Sequence, residues 1–279
     1  ALCNTDHSTI WIGRAAFEAE ADRLLAAMDQ PSIDGVNTYF VSKIAAEAGL
    51  KVAISGLGGD ELFAGYASFR EVPALVRAMA PFRLLPGLGR AFRWVAAPVL
   101  SRLTSPKYAG LIEYGTGTGR AYLLRRSMFM PWELPQVLDP DMAREGWRKL
   151  EQVSRLDETV KDIRQPRLRV SALETAWYMQ NQLLRDSDWA GMAHSLEIRV
   201  PLVDTALFRR LAPMLAGRRP PGKREMALSA SAGLPPKILD RPKTGFSIPV
   251  QDWIGGGEGA ERGLRGWAKR VYNEFNGSG

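Results

Sequence analysis

The stretch VAISGLGGDELFAGY, residues 52–66, decides the fold that this sequence predicts. It opens with a short apolar run rich in β-branched residues, which is typical of a buried strand. A glycine-rich turn follows the strand, and the adjacent carboxylates of Asp60 and Glu61 follow the turn. Ligands of proteins with open parallel sheets bind at the carboxyl ends of strands, so this order of residue types predicts a binding loop.

Two helices are predicted upstream of the strand. Apolar residues recur at helical spacing over residues 17–28. A second helix is predicted over residues 37–48, with Asn37 as its cap and Gly49 at its C-terminal end. Helix, turn, strand and loop in this order form an αβ unit, so we predict an α/β fold with a parallel sheet. Residues 55–61 then lie where this architecture places its binding site.

The glycine-rich turn predicts a phosphate site. Glycine has no Cβ, so the backbone N–H groups of the turn can approach an anion closely. Asp60 and Glu61 would repel a bare polyphosphate unless a divalent cation lies between them, so the pattern predicts Mg²⁺ together with a nucleotide. The alternative is a tight connection in which the two carboxylates only favour the start of a helix. The loop taken by itself leaves both interpretations open.

The composition is that of a folded, water-soluble protein of 279 residues, which suggests about two lobes. The 37 Lys and Arg residues exceed the 30 Asp and Glu residues, and this favours anionic partners. The arginines are scattered, however, which argues against a nucleic-acid-binding protein. The single cysteine, Cys3, cannot form an internal disulfide, and no stretch approaches the roughly 18 apolar residues of a membrane span. We therefore expect a cytoplasmic protein without nucleic-acid or membrane partners.

The remainder of the chain is predicted to be mainly helical. Residues 71–126 are apolar, arginine-rich and broken by prolines, which predicts several short helices. For residues 75–103 a set of membrane-surface helices is the alternative, but the prolines interrupt any long amphipathic face and favour core helices. The longest helix is predicted over residues 169–193, and Asp204 is predicted to cap a later one. The predicted divisions are an α/β core over residues 1–70, a helical part over 71–254 and a glycine-rich, loosely organised tail over 255–279.

Two further segments carry charge that could belong to a site. LLRDSDWAGMAHSLEIRVPLVD, residues 183–204, contains Asp186 and several other ionisable residues, although the segment taken alone favours internal ion pairs. RPKTGF, residues 241–246, places Lys243 on a loop beside a proline and a glycine. An ammonium group there could reach a phosphate or a developing anion, but the loop taken alone favours a solvated lysine.

Three long motifs together resemble one family. They are DQPSIDGVNTYFVSKIAAEAGLKVAISGLGGDELFAGY (residues 29–66), the segment 183–204 and LPPKILDRPKTGF (residues 234–246). In this order they resemble the C-terminal synthetase domain of glutamine-hydrolysing asparagine synthases and related amidotransferases. The resemblance implies a truncated ATP-pyrophosphatase-type (adenine nucleotide alpha hydrolase-like) parallel sheet with a large helical portion. It also implies ATP and Mg²⁺ as cofactors, adenylation of a carboxylate, usually aspartate, and attack by ammonia from a separate glutaminase domain.

The resemblance further implies roles for individual residues. The nucleotide would be lined by Ser55, Gly56, Gly58 and Gly59. Asp60 and Glu61 would serve the Mg²⁺–pyrophosphate side, Tyr66 would face the reaction centre, and Lys243 would stabilise charge during adenylation and amide formation.

Two features depart from the family pattern. The Ser-Gly-Gly-x-Asp-Ser loop and the glutaminase domain are not found in these 279 residues, so we expect them upstream and expect this chain alone to bind ATP poorly. Leu57 stands where well-studied members carry a glutamate, and a leucine cannot orient an amine or act as a base. Either a carboxylate such as Asp186 shares that task, or the acceptor is not aspartate. A non-catalytic scaffold member is a further alternative, and a homodimer is one possible assembly.

Overall fold

The computed structural model describes residues 8–230, 233–240, 249–254 and 264–277, and helices predominate among them. The helices and strands are, in chain order, α1 (Arg14–Ala27), α2 (Val36–Glu47), β1 (Val52–Ile54), α3 (Gly59–Phe63), α4 (Ser68–Met79), α5 (Pro86–Leu103), α6 (Leu111–Tyr114), α7 (Thr118–Arg126), α8 (Pro140–Leu150), α9 (Gln152–Val160), α10 (Pro166–Leu173), a π-helical segment (Glu174–Leu183), α11 (Leu184–Met192), β2 (Glu197–Arg199), α12 (Thr205–Leu215), α13 (Lys223–Ala230), α14 (Pro236–Leu239), α15 (Val250–Ile254) and α16 (Arg265–Gly277). Short 3₁₀ turns occupy Ala80–Leu84, Pro106–Gly110, Leu134–Gln136 and Pro201–Val203.

The chain divides into two compact units, and each is discontinuous in sequence. The first unit consists of residues 1–55, 182–199 and 245–279. The second consists of residues 56–181 and 200–244. The expected divisions at residues 70 and 254 stay a prediction.

The first unit has an aromatic core between α1, α2 and α11. Phe17, Phe40 and Trp189 are buried in it. Gly35 precedes α2 where a Cβ would collide with the Trp189 ring, so a larger residue there would force the ring away. The two upstream helices are confirmed, and Gly49 adopts a left-handed φ of 83° as a C-terminal glycine should. The predicted cap is wrong, because α2 begins at Val36 after Gly35 and has no side-chain cap.

The sheet of this unit is a single parallel pair. β1 pairs with β2 so that Val52 lies opposite Glu197, and the N–H of Ser55 extends the ladder to the carbonyl oxygen of Arg199 at 2.8 Å. The strand and its parallel pairing are confirmed. Its predicted burial is wrong, since the Ile54 side chain is 78% exposed. Val52 and Ile54 of β1 and their partners Glu197 and Arg199 of β2 are all exposed, so one face of the strand pair is open to solvent.

The predicted loose tail contains an ordered helix instead. Trp267 and Val271 of α16 are almost fully buried in the core of the first unit, together with Val250 of α15. Their burial accounts for the order of this segment because large apolar side chains removed from water stabilise a fold most. The glycine-rich residues 255–263 lie outside the described part of the chain.

The second unit is a bundle of mostly short helices. A core of apolar residues joins α4, α7, α9 and α10, and smaller clusters lie beneath α3 and α6. The prediction of several short helices over residues 71–126 is confirmed. Pro73 and Pro98 nevertheless lie inside α4 and α5, so these two prolines do not separate helices. Among the described helices, none combines the length and the apolar character that a membrane span requires.

The longest predicted helix is also confirmed, and its middle part is a π-helix. Helical structure runs from α10 through the π-helical segment into α11, and Glu174 and Met179 of that segment are buried. Asp204 caps α12 as predicted, because its Oδ1 accepts the N–H of Leu207 at 2.7 Å.

Candidate active site

The loop between β1 and α3 makes its sharpest turn at Gly58. This residue has φ 93° and ψ −21°, a left-handed conformation that glycine adopts at least cost. A Cβ at Gly58 would lie 3.0 Å from the carbonyl oxygen of Leu202 and 3.0 Å from Cγ2 of Val203. Gly58 therefore allows both the turn and a close approach of the segment that precedes α12.

Replacing Gly58 by alanine is expected to lower the free energy of unfolding by about 2 kcal/mol, because the substitution adds left-handed strain and a tight backbone contact. Gly56→Ala is the matched control, since Gly56 has no positive φ and a Cβ there meets no heavy atom within 4 Å. Urea unfolding of both variants measures the difference. Equal stability of the two variants would contradict the assigned turn.

Helix α3 carries the two acidic residues of the motif and is held in place by α10. The Ser171 hydroxyl donates to the carbonyl oxygen of Glu61 at 2.8 Å. The Arg167 guanidinium donates to the carbonyl oxygen of Pro221 at 2.9 Å and to that of Leu62 at 3.4 Å. These contacts join the motif to α10 and to the segment before α13, so its side chains occupy fixed positions.

Asp60 lies at the more accessible side of α3 and forms an ion pair with Lys223 at the start of α13. The Asp60 side chain is 20% exposed, and that of Lys223 is 47% exposed. Gly65 makes room for the pair, because a Cβ at that position would overlap Asp60 Oδ1. The arrangement presents a partly accessible carboxylate whose position is fixed by a neighbouring cation.

Glu61 points into the interior. It is fully buried, and its Oε1 accepts the hydroxyl of Tyr66 at 2.8 Å. Its Oε2 has no hydrogen-bond partner among the residues that the structure describes. Burial raises the pKa of Glu61 despite the hydrogen bond from Tyr66, and burial also raises the pKa of the Tyr66 hydroxyl. Glu61 and Tyr66 thus form a pair in which protons are held more tightly than in water.

The raised pKa of Glu61 gives stability a defined pH dependence. The folded state binds a proton more readily than the unfolded state, so this contribution is complete below the ordinary carboxyl pKa and is lost as pH rises through the folded pKa. Relative to the wild type, Glu61→Gln is therefore expected to gain unfolding free energy as the pH rises from 4 to 8, because the amide binds no proton. Denaturant unfolding across this range tests it, with exposed Glu145→Gln as the control. The same pH profile in both variants would contradict the expectation.

Behind Tyr66, a buried ion pair connects α7 to the π-helical segment. Nη2 of Arg126 donates to Oε2 of Glu174 at 2.7 Å, and Nε donates to Oε1 at 3.2 Å. Glu174 also accepts the hydroxyls of Ser68 and Tyr122. The Arg126 guanidinium lies 3.8 Å from the ring centroid of Tyr178 and 4.7 Å from that of Tyr66. This cluster fixes the Tyr66 ring next to Glu61.

Two other predicted site residues belong to the first unit. Ser55 ends the first of the three segments of this unit, and Asp186 belongs to the second segment. The Asp186 carboxylate accepts the indole N–H of Trp189 at 3.0 Å, and burial raises its pKa to about 6. Lys243 lies outside the described residues. Within the described part of the chain, no group of three or more His, Cys, Asp or Glu residues is arranged to hold a metal.

The second unit therefore brings three motif residues together around α3. Asp60 offers a partly accessible carboxylate, while Glu61 and Tyr66 form a buried proton-holding pair beside it. The family model for asparagine synthase matches residues 1–274. The chain belongs to the asparagine synthase family.

Curated relatives agree with this assignment. A putative glutamine-hydrolysing asparagine synthetase of Mycobacterium bovis is 30% identical over 260 residues, and so is one of Mycobacterium tuberculosis; each match covers 87% of this chain. Asparagine synthetase 1 of Bacillus subtilis, also glutamine-hydrolysing, is 26% identical over 263 residues, or 91% of the chain. The chain spans only 36–39% of the length of these relatives. No solved structure matches it.

Four residues of the cluster escaped the sequence analysis, namely Arg126, Glu174, Tyr178 and Lys223. Each of the four contacts a motif residue, or a residue next to one in space, that lies far from it in the sequence. The one local signal is Glu174, a carboxylate within the helix predicted over residues 169–193.

Proposed function

We propose that this chain is the synthetase part of an ATP-dependent, amide-forming ligase. It adenylates a carboxylate, most favourably the aspartate side chain, and the acyl-adenylate then reacts with ammonia derived from glutamine. The products are asparagine, AMP and pyrophosphate. Membership of the asparagine synthase family supports the reaction class, and an ATP-pyrophosphatase-type fold is compatible with the parallel strand pair and the loop that follows it.

The observation that carries the proposal is the difference in burial between two adjacent carboxylates: that of Asp60 is partly accessible and that of Glu61 is fully buried. A Mg²⁺ site in a nucleotide enzyme often uses one or two carboxylates and takes its other ligands from phosphates and water. Asp60 fits this role because its carboxylate is partly accessible and fixed by Lys223. Glu61 does not fit it, because its carboxylate is fully buried and faces Tyr66. We therefore assign the metal-facing role to Asp60 alone.

Bound Mg²⁺–ATP would supply a leaving group that turns a poor electrophile into an acyl-adenylate. The residues of this chain contribute position and charge. The turn at Gly58 brings the loop backbone close to Leu202 and Val203. The Arg126–Glu174 pair holds the ring of Tyr66 in one orientation. Lys223 fixes the Asp60 carboxylate. In this proposal Lys243 stabilises charge as pyrophosphate departs.

The test is an assay of pyrophosphate and AMP release by the full-length protein that contains this chain. Aspartate is offered with Mg²⁺, ATP and either glutamine or ammonia. Equimolar AMP and pyrophosphate that appear only when a carboxylate is present are expected. Failure to release pyrophosphate with aspartate and with every carboxylate of a broad panel would contradict the proposal.

Leu57 favours a second candidate within the same reaction class. An apolar side chain in the loop cannot bind the amino group of aspartate, so a related amidotransferase with another carboxylate acceptor is the alternative. Leu57→Glu distinguishes the two candidates. A variant that gains activity with aspartate and loses it with another acceptor would favour the second candidate, whereas unchanged preference for aspartate would favour the first.

A further inference from the structure

A cavity of about 430 Å³ lies in the second unit and shares no residue with the candidate active site. Helices α4 to α7, α9 and α10 contribute to its wall. Its ionisable lining consists of Arg83, Arg90, Arg120, Lys161 and Arg169 against the carboxylates of Glu113 and Asp157. Five cationic side chains thus face two anionic ones.

Both carboxylates are already occupied by donors of the protein. Glu113 accepts Nε of Arg93 at 2.7 Å and lies 3.8 Å from Nε of Arg90. Oδ1 of Asp157 accepts the backbone N–H of Gly119 at 3.2 Å. Glu113 is shared between Arg90 and Arg93, and Asp157 accepts a neutral donor, so the two carboxylates offset at most two of the five positive charges. Lys161 also pairs with Glu158, which does not line the cavity.

Several of the cations keep unused hydrogen-bonding capacity. Among the described residues, no carboxylate forms an ion pair with Arg83 or Arg120. Arg169 uses its Nε on the carbonyl oxygen of Ile163 at 2.5 Å, which leaves its two terminal nitrogens for another acceptor. Guanidinium groups around one cavity repel each other unless an anion lies between them.

The loop before α7 adds a second feature of an anion site. Residues 115–120 read GTGTGR, and Thr116, Gly117 and Thr118 all line the cavity. A Cβ at Gly117 would meet only Cδ of Arg120, at 4.0 Å, so packing does not demand glycine there. Because Gly117 has no Cβ, an anion in the cavity can approach the backbone just before α7 closely.

We propose that this cavity binds a phosphate-bearing anion. Four guanidinium groups line the cavity, and such groups bind phosphate oxygens in pairs. The volume lies within the range of about 300–1,000 Å³ that is usual for small-molecule sites. Val76, Phe82 and Leu85 add apolar surface beside the cations, which suits a phosphorylated organic molecule as well as free pyrophosphate. This site is separate from the nucleotide site of the proposed reaction.

Isothermal titration of the full chain with pyrophosphate and with ADP tests the proposal, and EDTA removes divalent cations. Arg83→Gln/Arg120→Gln is expected to weaken binding at least tenfold. Arg209→Gln/Arg210→Gln removes the same charge from an exposed part of α12 and is expected to change binding less than twofold. Gly117→Val adds volume without altering charge and is expected to weaken binding at least fivefold. Circular dichroism and the Tm establish that each variant is folded.

The outcomes are distinguishable. Tenfold tighter binding of ADP than of pyrophosphate identifies a phosphorylated organic molecule, and equal affinity identifies free phosphate groups as the ligand; both support the cavity. If Arg209→Gln/Arg210→Gln weakens binding as much as Arg83→Gln/Arg120→Gln, the anion is attracted by the overall positive charge and not by the cavity, and the proposal is overturned. Loss of binding in Asp60→Asn, a strict requirement for Mg²⁺, or no binding of either anion at millimolar concentration would overturn it as well.

Discussion

Arg126→Ala is expected to lower the free energy of unfolding by about 3 kcal/mol. Breaking one side of a buried ion pair costs about 3–5 kcal/mol, and the lower end applies because about a quarter of the Arg126 side chain is exposed. The variant leaves the fully buried Glu174 carboxylate without its cation, and it removes the guanidinium from the rings of Tyr66 and Tyr178. Equilibrium unfolding in urea measures the loss.

The neighbouring Arg125 provides a matched control on the same helix. Arg125 pairs with Glu71 at the surface, where both side chains are about half exposed, so Arg125→Ala is expected to cost no more than about 1 kcal/mol. Adding Glu174→Gln to Arg126→Ala should recover part of the loss, because a neutral amide does not need a counter-charge. Equal costs for Arg125→Ala and Arg126→Ala, or no recovery in the double variant, would show that the ion pair is not buried as described.

Asp60→Asn is expected to lower pyrophosphate release by the full-length protein about 100-fold or more, the usual effect of removing one electrostatic group from an active site. The substitution keeps the shape of the side chain and removes the charge that faces the metal in the proposed reaction. The apparent Mg²⁺ requirement should rise in parallel. Initial rates over a Mg²⁺ titration measure both effects.

Two variants separate this effect from loss of the Asp60–Lys223 ion pair. Lys223→Gln breaks the pair but keeps the carboxylate, so its Mg²⁺ requirement should change much less. Asp141→Asn removes an exposed carboxylate from α8 and should leave the rate unchanged. If Asp60→Asn and Lys223→Gln behave alike, Asp60 acts through the ion pair and the metal-facing assignment is wrong.

The local elements were predictable because their signals are local. Helices α1 and α2 follow from apolar spacing, and the turn after α2 follows from Gly49. The adjacency of Asp60 and Glu61 could be read directly, but not their opposite environments. One faces Lys223 and the other is buried against Tyr66, and both outcomes depend on contacts made by α10 and α13.

The failures also have physical causes. The apolar sequence of β1 suggested burial, yet a strand is covered only where neighbouring elements supply a surface, and Ile54 has none. The Arg126–Glu174 pair could not be inferred, because two charged residues in separate helices show no pattern that predicts their contact. The glycine-rich composition around residues 255–263 led to the prediction of a loose tail and hid the helix α16. This helix is held by Trp267, which packs in a core formed by residues far away in the sequence.

The register of the two strands has a consequence for how the chain folds. Val52 pairs with Glu197, and the residues between the strands make up about half of the sequence, including most of the second unit. Closing such a long loop is entropically costly, so contacts of this kind form late and slowly. During synthesis, β1 leaves the ribosome long before its partner exists. We expect the helices of residues 56–181 to collapse first, while β1 stays an unpaired edge that chaperones can bind.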